Sequence, residues 1–332
     1  MLEVEMDIFS GTPNPSWVLT KEEESQVLEI IEADPDQISP VSTEKEKFGL
    51  GYRGFLVRTV KDEVAWHQLQ SRLDRRLPEE FRVGSRPTES DASIAQYLLE
   101  GGPARRNGLD DELRDAASRG VALVQPPPPE GGFESQPQPP TAKAEPDTSP
   151  EADEEDYLRG YTWHRPCPSS YFYSNADIFN RPEFIYRTNC YAYACNYLYG
   201  GRYAHPGAHG GKPATSMTVD SIRGGLYVDG WADNCQPKSL TIAAVVWPNW
   251  DFHFYRLATG SPYWVWGHKL ATNAAVHYDN CGYAIRRTPH YLGTIWQHPA
   301  NCCRGGYTDW VGWFYQNNDE AYCKQPPWIP GR

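Results

Sequence analysis

The chain has 332 residues, a mean hydropathy of -0.65 and a formal net charge of -12. Residues 126–156 hold nine acids against Lys143 alone, so most of that charge is local, and no basic stripe remains that could track a phosphate backbone, which argues against nucleic-acid binding. No apolar run approaches the roughly 20 residues of a membrane helix, and the length fits two domains.

The N-terminus, MLEVEMDIFSG, has neither a basic n-region nor an apolar h-region, so no secretory signal is visible. LEVEMDIFS alternates like a strand, and GTPNPSW is turn chemistry. Thr20 and Glu23 stand at capping-box spacing and open a helix through about Ile31. LGYRGFLVRTV at 50–60 reads as a strand; SDASIAQYLL at 90–99 and LDDELRDAASRG at 109–120 read as helices. Residues 1–125 therefore form a small α/β module, expected to bind a protein partner, target or scaffold. Its phrases DIFSGTPNPSW and GLGYRGFLV resemble a short module of bacterial proteins, and that resemblance brings no activity. His67, the only histidine of this half, has no obvious partner.

Residues 126–156, rich in proline and acid, bury too little apolar surface to offset chain entropy and read as a disordered linker. Residues 157–332 differ in composition. Ten of the twelve tryptophans and eighteen of the twenty-one tyrosines lie after residue 160, a density that suits a sugar or peptide groove as well as a ring-filled core. All eight cysteines lie between Cys167 and Cys323. That usage suggests export or delivery as an effector, and an even number permits complete pairing. No CxxC or zinc-ribbon spacing is present, so neither a metal nor another cofactor is expected. A helix at 190–199 is followed by strands near 241–247, 251–258 and 263–270, the last two joined by a turn at 260–262.

The stretch NCYAYACN, 189–196, carries the chemistry. Asn189 is a strong N-cap residue, which makes Cys190 the first helical residue, beside unpaired amides that favour a thiolate and can bind an oxyanion. Cys195 points elsewhere. In DFHFYRLA, His253 and Tyr255 share one side; YWVWGHKLA returns and carries His268. A thiolate needs a base, and the base needs a group to fix its tautomer: His253 and His268 suit those roles. The alternative is a buried structural thiol beside two core histidines.

Cysteine at a helix start, a core strand, a strand with histidine and a strand ending in a second histidine resemble the NlpC-type papain-like cysteine peptidases. NCYAYACN, HPG, DFHFYR, GHK and GYTDWVGWFY also look like a bacterial set with this layout, over about 186–315. The resemblance implies an α+β fold, with a helix packed on an antiparallel sheet after the small N-terminal domain. It implies Cys190 as nucleophile, His253 as base and His268 in the third position, acting on a peptide or peptidoglycan-like substrate. Tyr186 stands nearest the family's oxyanion tyrosine, beside the cap Asn189, and Tyr191 and Trp266 would line the groove. Asn-Cys-Tyr-Ala replaces the family's Asp-Cys-Ser-Gly, so the groove floor differs. The competing expectation is a non-catalytic, disulfide-bonded, aromatic-rich module for a glycan or protein partner. His205 and His209 sit in a glycine-rich loop that suits a metal poorly. Asp229 and Asp309 suit capping a turn and doing chemistry equally, Asp279 reads as a turn residue, and the Cys302–Cys303 pair as disulfide halves or buried thiols.

Overall fold

Alternation in the first strand places Leu2, Val4 and Met6 inward, and β1 (Leu2–Met6) becomes the second strand of an antiparallel sheet. The computed structural model describes residues 1–41, 49–59, 77–85, 93–123, 176–234, 239–259, 264–282, 284–287 and 299–327. The linker expected at 126–156, the turn at 260–262, His67, Cys167 and Cys235 lie outside them.

The first sheet adds β2 (Ser16–Val18), β3 (Ile38–Ser39), β4 (Phe55–Thr59) and β5 (Glu80–Val83), in the order β2-β1-β4-β5-β3. All its pairings are antiparallel, so this half is α+β rather than the expected α/β. The helices that accompany it include α1 (Lys21–Ala33), α2 (Ile94–Glu100) and α3 (Asp111–Leu123). α1 opens on the expected capping box, Thr20 accepting from the Glu23 amide and Glu23 from the Thr20 amide.

In the second half α4 (Cys190–Ala194) and α5 (Val219–Val228) pack against a six-stranded antiparallel sheet. Its strands are β6 (Ser239–Trp247), β7 (Asp251–Thr259), β8 (Trp264–Lys269), β9 (Ala275–Val276), β10 (Arg286–Arg287) and β11 (Asp309–Asn317). They run β10-β8-β7-β6-β11, with β9 on β8. The apolar run of β6 is buried along its whole length because neighbours cover both faces. A disulfide joins Cys281 to Cys303, whereas Cys302 is a buried free thiol.

The two halves share one core. Leu2, Phe9, Phe55 and Leu98 belong to the same apolar cluster as Val245, Trp247, Tyr255 and Tyr315. A buried polar knot crosses the junction. Asp7 pairs with Arg53 at 2.6 Å and Arg82 at 2.8 Å, and Asn273 donates to Asp7 at 3.1 Å while accepting from Arg82 at 3.1 Å. Burial alone would raise the Asp7 pKa, but the two guanidiniums outweigh it and hold the carboxyl far below its usual range. Among the described residues, no helix is long and apolar enough to cross a membrane.

Candidate functional site

The cap forms as the sequence predicts. Asn189 Oδ1 accepts from the Ala192 amide at 3.1 Å, and Cys190 is the first residue of α4. The helix is shorter than the spacing suggests. It ends at Ala194, and Asn196, at φ 53°, turns the chain out through a left-handed conformation. A helix of five residues has a small dipole, so little field favours a thiolate. Asn189 has further duties: its Nδ2 donates to Ala204 O at 2.8 Å and to Gly11 O at 3.2 Å.

Cys190 is 0 % exposed. Burial pushes its thiol well above the usual range, a nearby Asp251 adds to this, and contacts with Phe254, Ser10 and Lys269 offset only part. The thiol is protonated, and its sulfur donates weakly to Phe252 O at 3.8 Å.

The two histidines meet as the hairpin predicts. Tyr255 pairs with His268, so His253, two residues earlier on the same face, is its diagonal neighbour. His253 Nε2 lies 2.9 Å from His268 Nδ1, and His268 Nε2 lies 2.8 Å from Tyr278 O. A carbonyl can only accept, so His268 carries its proton on Nε2 and accepts at Nδ1. His253 must then carry its proton on Nε2, which leaves Nδ1 as a bare acceptor. Burial keeps both rings neutral: it pulls His268 down to about 4 and, with His268 and Arg53, pulls His253 well below the ordinary histidine value.

That acceptor faces a residue of the first half. Ser10 Oγ lies 2.8 Å from His253 Nδ1 and 3.2 Å from Phe252 O, the carbonyl that the Cys190 thiol reaches at 3.8 Å. Ser10, rather than the thiol, meets His253 Nδ1, and among the described residues the thiol bonds to neither histidine. Asp251, at the head of β7, holds Ser10 in place. It accepts from the amides of Ser10 at 2.6 Å, Gly11 at 3.1 Å and Thr12 at 2.7 Å, and from the Tyr307 hydroxyl at 2.5 Å. Burial raises the Asp251 pKa and these donors pull it back.

Lys269, next to His268, is fully buried and donates to the carbonyls of Ile185, Thr188, Ala271 and Asn273 at 2.5–3.0 Å. Burial pulls it down to about 7, yet four acceptors suit the three N–H bonds of an ammonium better than the two of an amine. It therefore fixes the chain leading into Asn189.

The two residues expected to line a groove, Tyr191 and Trp266, are buried. The Tyr191 hydroxyl donates to Asp229 at 2.7 Å, and Trp266 lies against Trp313 with ring centroids 5.0 Å apart. Both rings fill cores because each face of the sheet is covered. Tyr186 is 45 % exposed on the surface. Asp229 is more than a turn residue: it also accepts from the amides of Gly207 and Gly210 and so anchors the glycine-rich loop. Asp279, Cys281 and Cys303 cluster, but the two sulfurs are bonded to each other. Sequence reasoning missed Ser10, Asp251 and Lys269. The only signal at Asp251 was its place opening the histidine strand; a contact 241 residues away leaves no local pattern.

Fold and site together define an α+β protein in which His253 and His268 of the second sheet bond to each other and to Ser10 of the first half, with the buried Cys190 on the adjoining helix. Over 130 residues the chain is 32% identical to insoluble matrix shell protein 1 of Ruditapes philippinarum, an alignment spanning 38% of this chain and 78% of that protein, and it belongs to the same family. No family model matches the chain, and no solved structure does.

Proposed function

We propose that the chain is a thiol hydrolase or acyltransferase acting on a peptide or amide bond, with an NlpC-type papain-like centre in a closed resting state. The observation that carries this reading is the fixed relay from Tyr278 O through His268 to His253, which ends in an unprotonated Nδ1 on Ser10 Oγ, itself 3.2 Å from Phe252 O, the carbonyl that the Cys190 thiol also reaches. When Ser10 withdraws, His253 Nδ1 takes the thiol proton and the sulfur attacks the carbonyl carbon. The C–N bond breaks as His253 returns the proton to the leaving amine, and a thioester forms. Water or a second amine, deprotonated by His253, then releases the acyl group and restores the thiol. Cell-wall peptide is the substrate class that the family resemblance implies.

The test is prolonged incubation of the full chain with a peptidyl electrophile, followed by mass mapping. Cys190 is expected to be acylated ahead of Cys195, Cys302 and Cys323, and His253→Gln to slow this by about a hundredfold or more. Labelling no faster than at Cys302, or no slower in the variant, removes the reading.

A second reading has its own support. Full burial of a protonated Cys190, together with kinship to an insoluble matrix shell protein, suits a non-catalytic, disulfide-bearing, aromatic-rich module for a glycan or protein partner. On that reading the polar cluster only fastens the two halves together, and the same labelling experiment returns an inert Cys190.

A further inference from the structure

Residues Ser10, Gly11 and Thr12 lie over the candidate centre with their main chain, rather than their side chains, doing most of the binding. Three consecutive amides converge on one carboxylate, Asp251. The Gly11 carbonyl is held by Asn189 Nδ2 at 3.2 Å, the residue beside the thiol. Ser10 contributes its hydroxyl to His253 Nδ1 at 2.8 Å. At Gly11 the Phe252 ring lies so close that a Cβ would sit 2.3 Å from its Cε2, far inside contact distance. The site therefore reads backbone polarity and accepts only glycine opposite Phe252.

Asp251 supplies the second, independent sign of a ligand site. It is fully buried, and among the described residues its donors are the Tyr307 hydroxyl and this segment; no Arg or Lys pairs with it. If the segment left, a buried carboxylate would keep one hydroxyl donor, a state that favours capture of other amides.

We infer that residues 10–12 occupy the site as an internal ligand, and that the ligand the site takes from outside is a peptide of the same chemistry, small residues around a glycine seated on Phe252. The inference deepens the thiol-hydrolase reading and rests on it for any cleavage, but not for binding. An internal ligand acts at an effective concentration of about millimolar, so a free peptide competes poorly until the segment is loosened. The closed, protonated Cys190 follows from that occupancy.

The experiment compares iodoacetamide alkylation of Cys190 in the full-length parent and in Gly11→Ala, where the added methyl meets Phe252. The variant is expected to react about tenfold faster or more, because the segment opens more often. A five-residue peptide copying Phe9–Pro13, at millimolar concentration, is expected to slow it again, and the same peptide with alanine for glycine to have no effect. If Gly11→Ala does not fold, Ser10→Ala, which adds no volume, is read in the same way. A folded variant whose Cys190 stays as inert as Cys195 overturns the inference, and so does an unmasked Cys190 that the glycine peptide fails to protect. If the peptide protects but His253→Gln leaves the unmasked rate unchanged, the ligand inference stands and the thiol-hydrolase reading falls.

Discussion

At the scale of single residues, the centre is a set of ionisable groups that burial holds neutral. His268, drawn down to about 4, takes up a proton far less readily in the folded chain than at the ordinary value of 6.5, and burial lowers His253 in the same direction. Above the ordinary histidine value neither state binds these protons and the pair has no effect. As pH falls below it, the unfolded chain takes up protons that the folded chain refuses, so stability declines until the folded-state value is reached. For His268 alone that amounts to about 3 kcal/mol, spread over a slope of about 1.4 kcal/mol per pH unit. Asp251 and Asp229 act oppositely, since a carboxyl raised by burial gains from acid. The clean measurement is thus a difference. Urea unfolding of the parent and of His268→Gln between pH 6.5 and pH 4.5 should show the parent losing stability more steeply, by close to one proton. Equal slopes would mean that His268 is not a buried neutral imidazole.

At the scale of elements, Asn189 links a helix start to two distant carbonyls. Asn189→Ser keeps an acceptor for the Ala192 amide but loses the bonds to Ala204 O and Gly11 O; Asn189→Ala loses all three. The serine variant should therefore fall below the parent, and the alanine variant below serine by about 1 kcal/mol, the usual worth of a cap. Denaturant midpoints decide this, and a serine variant as stable as the parent would show that the two carbonyl contacts carry no weight. The same element shows what a sequence can disclose. The cap at Asn189, the capping box at Thr20 and the diagonal meeting of His253 with His268 were legible because each depends on neighbours along the chain or across one hairpin. The end of α4 was not: the tyrosines and alanines to 199 have helical character, and only Asn196 in a left-handed conformation stops the helix. Nor could the aromatic density separate a groove from a core, and Tyr191 and Trp266 went to cores. Ser10 was read as the end of a strand, whereas the strand stops at Met6, and its hydroxyl serves a histidine 243 residues away.

At the scale of the whole molecule, the contrast in composition between the halves suggested independent modules, whereas the described residues share a core and a buried ionic knot. Asp7 is the centre of that knot. It neutralises Arg53, which also donates to the carbonyls of Ile8, Phe9 and Gly51 and so shapes the loop that delivers Ser10. It neutralises Arg82 too, and both Asp7 and Arg82 bond to Asn273 of the second half. Asp7→Ala would leave two buried guanidiniums without a counter-charge, a change that typically costs about 3–5 kcal/mol. If the knot joins the halves, that loss must appear in both sheets at once. Hydrogen exchange should show faster exchange at β4 and β5 and also at β7 and β8, together with faster alkylation of Cys190, because the Ser10 loop loosens with its Arg53 brace. Loss of protection confined to the first sheet, with Cys190 as inert as before, would mean that the second half holds its own fold and closes its own centre, and the first half would then be no more than an attached module.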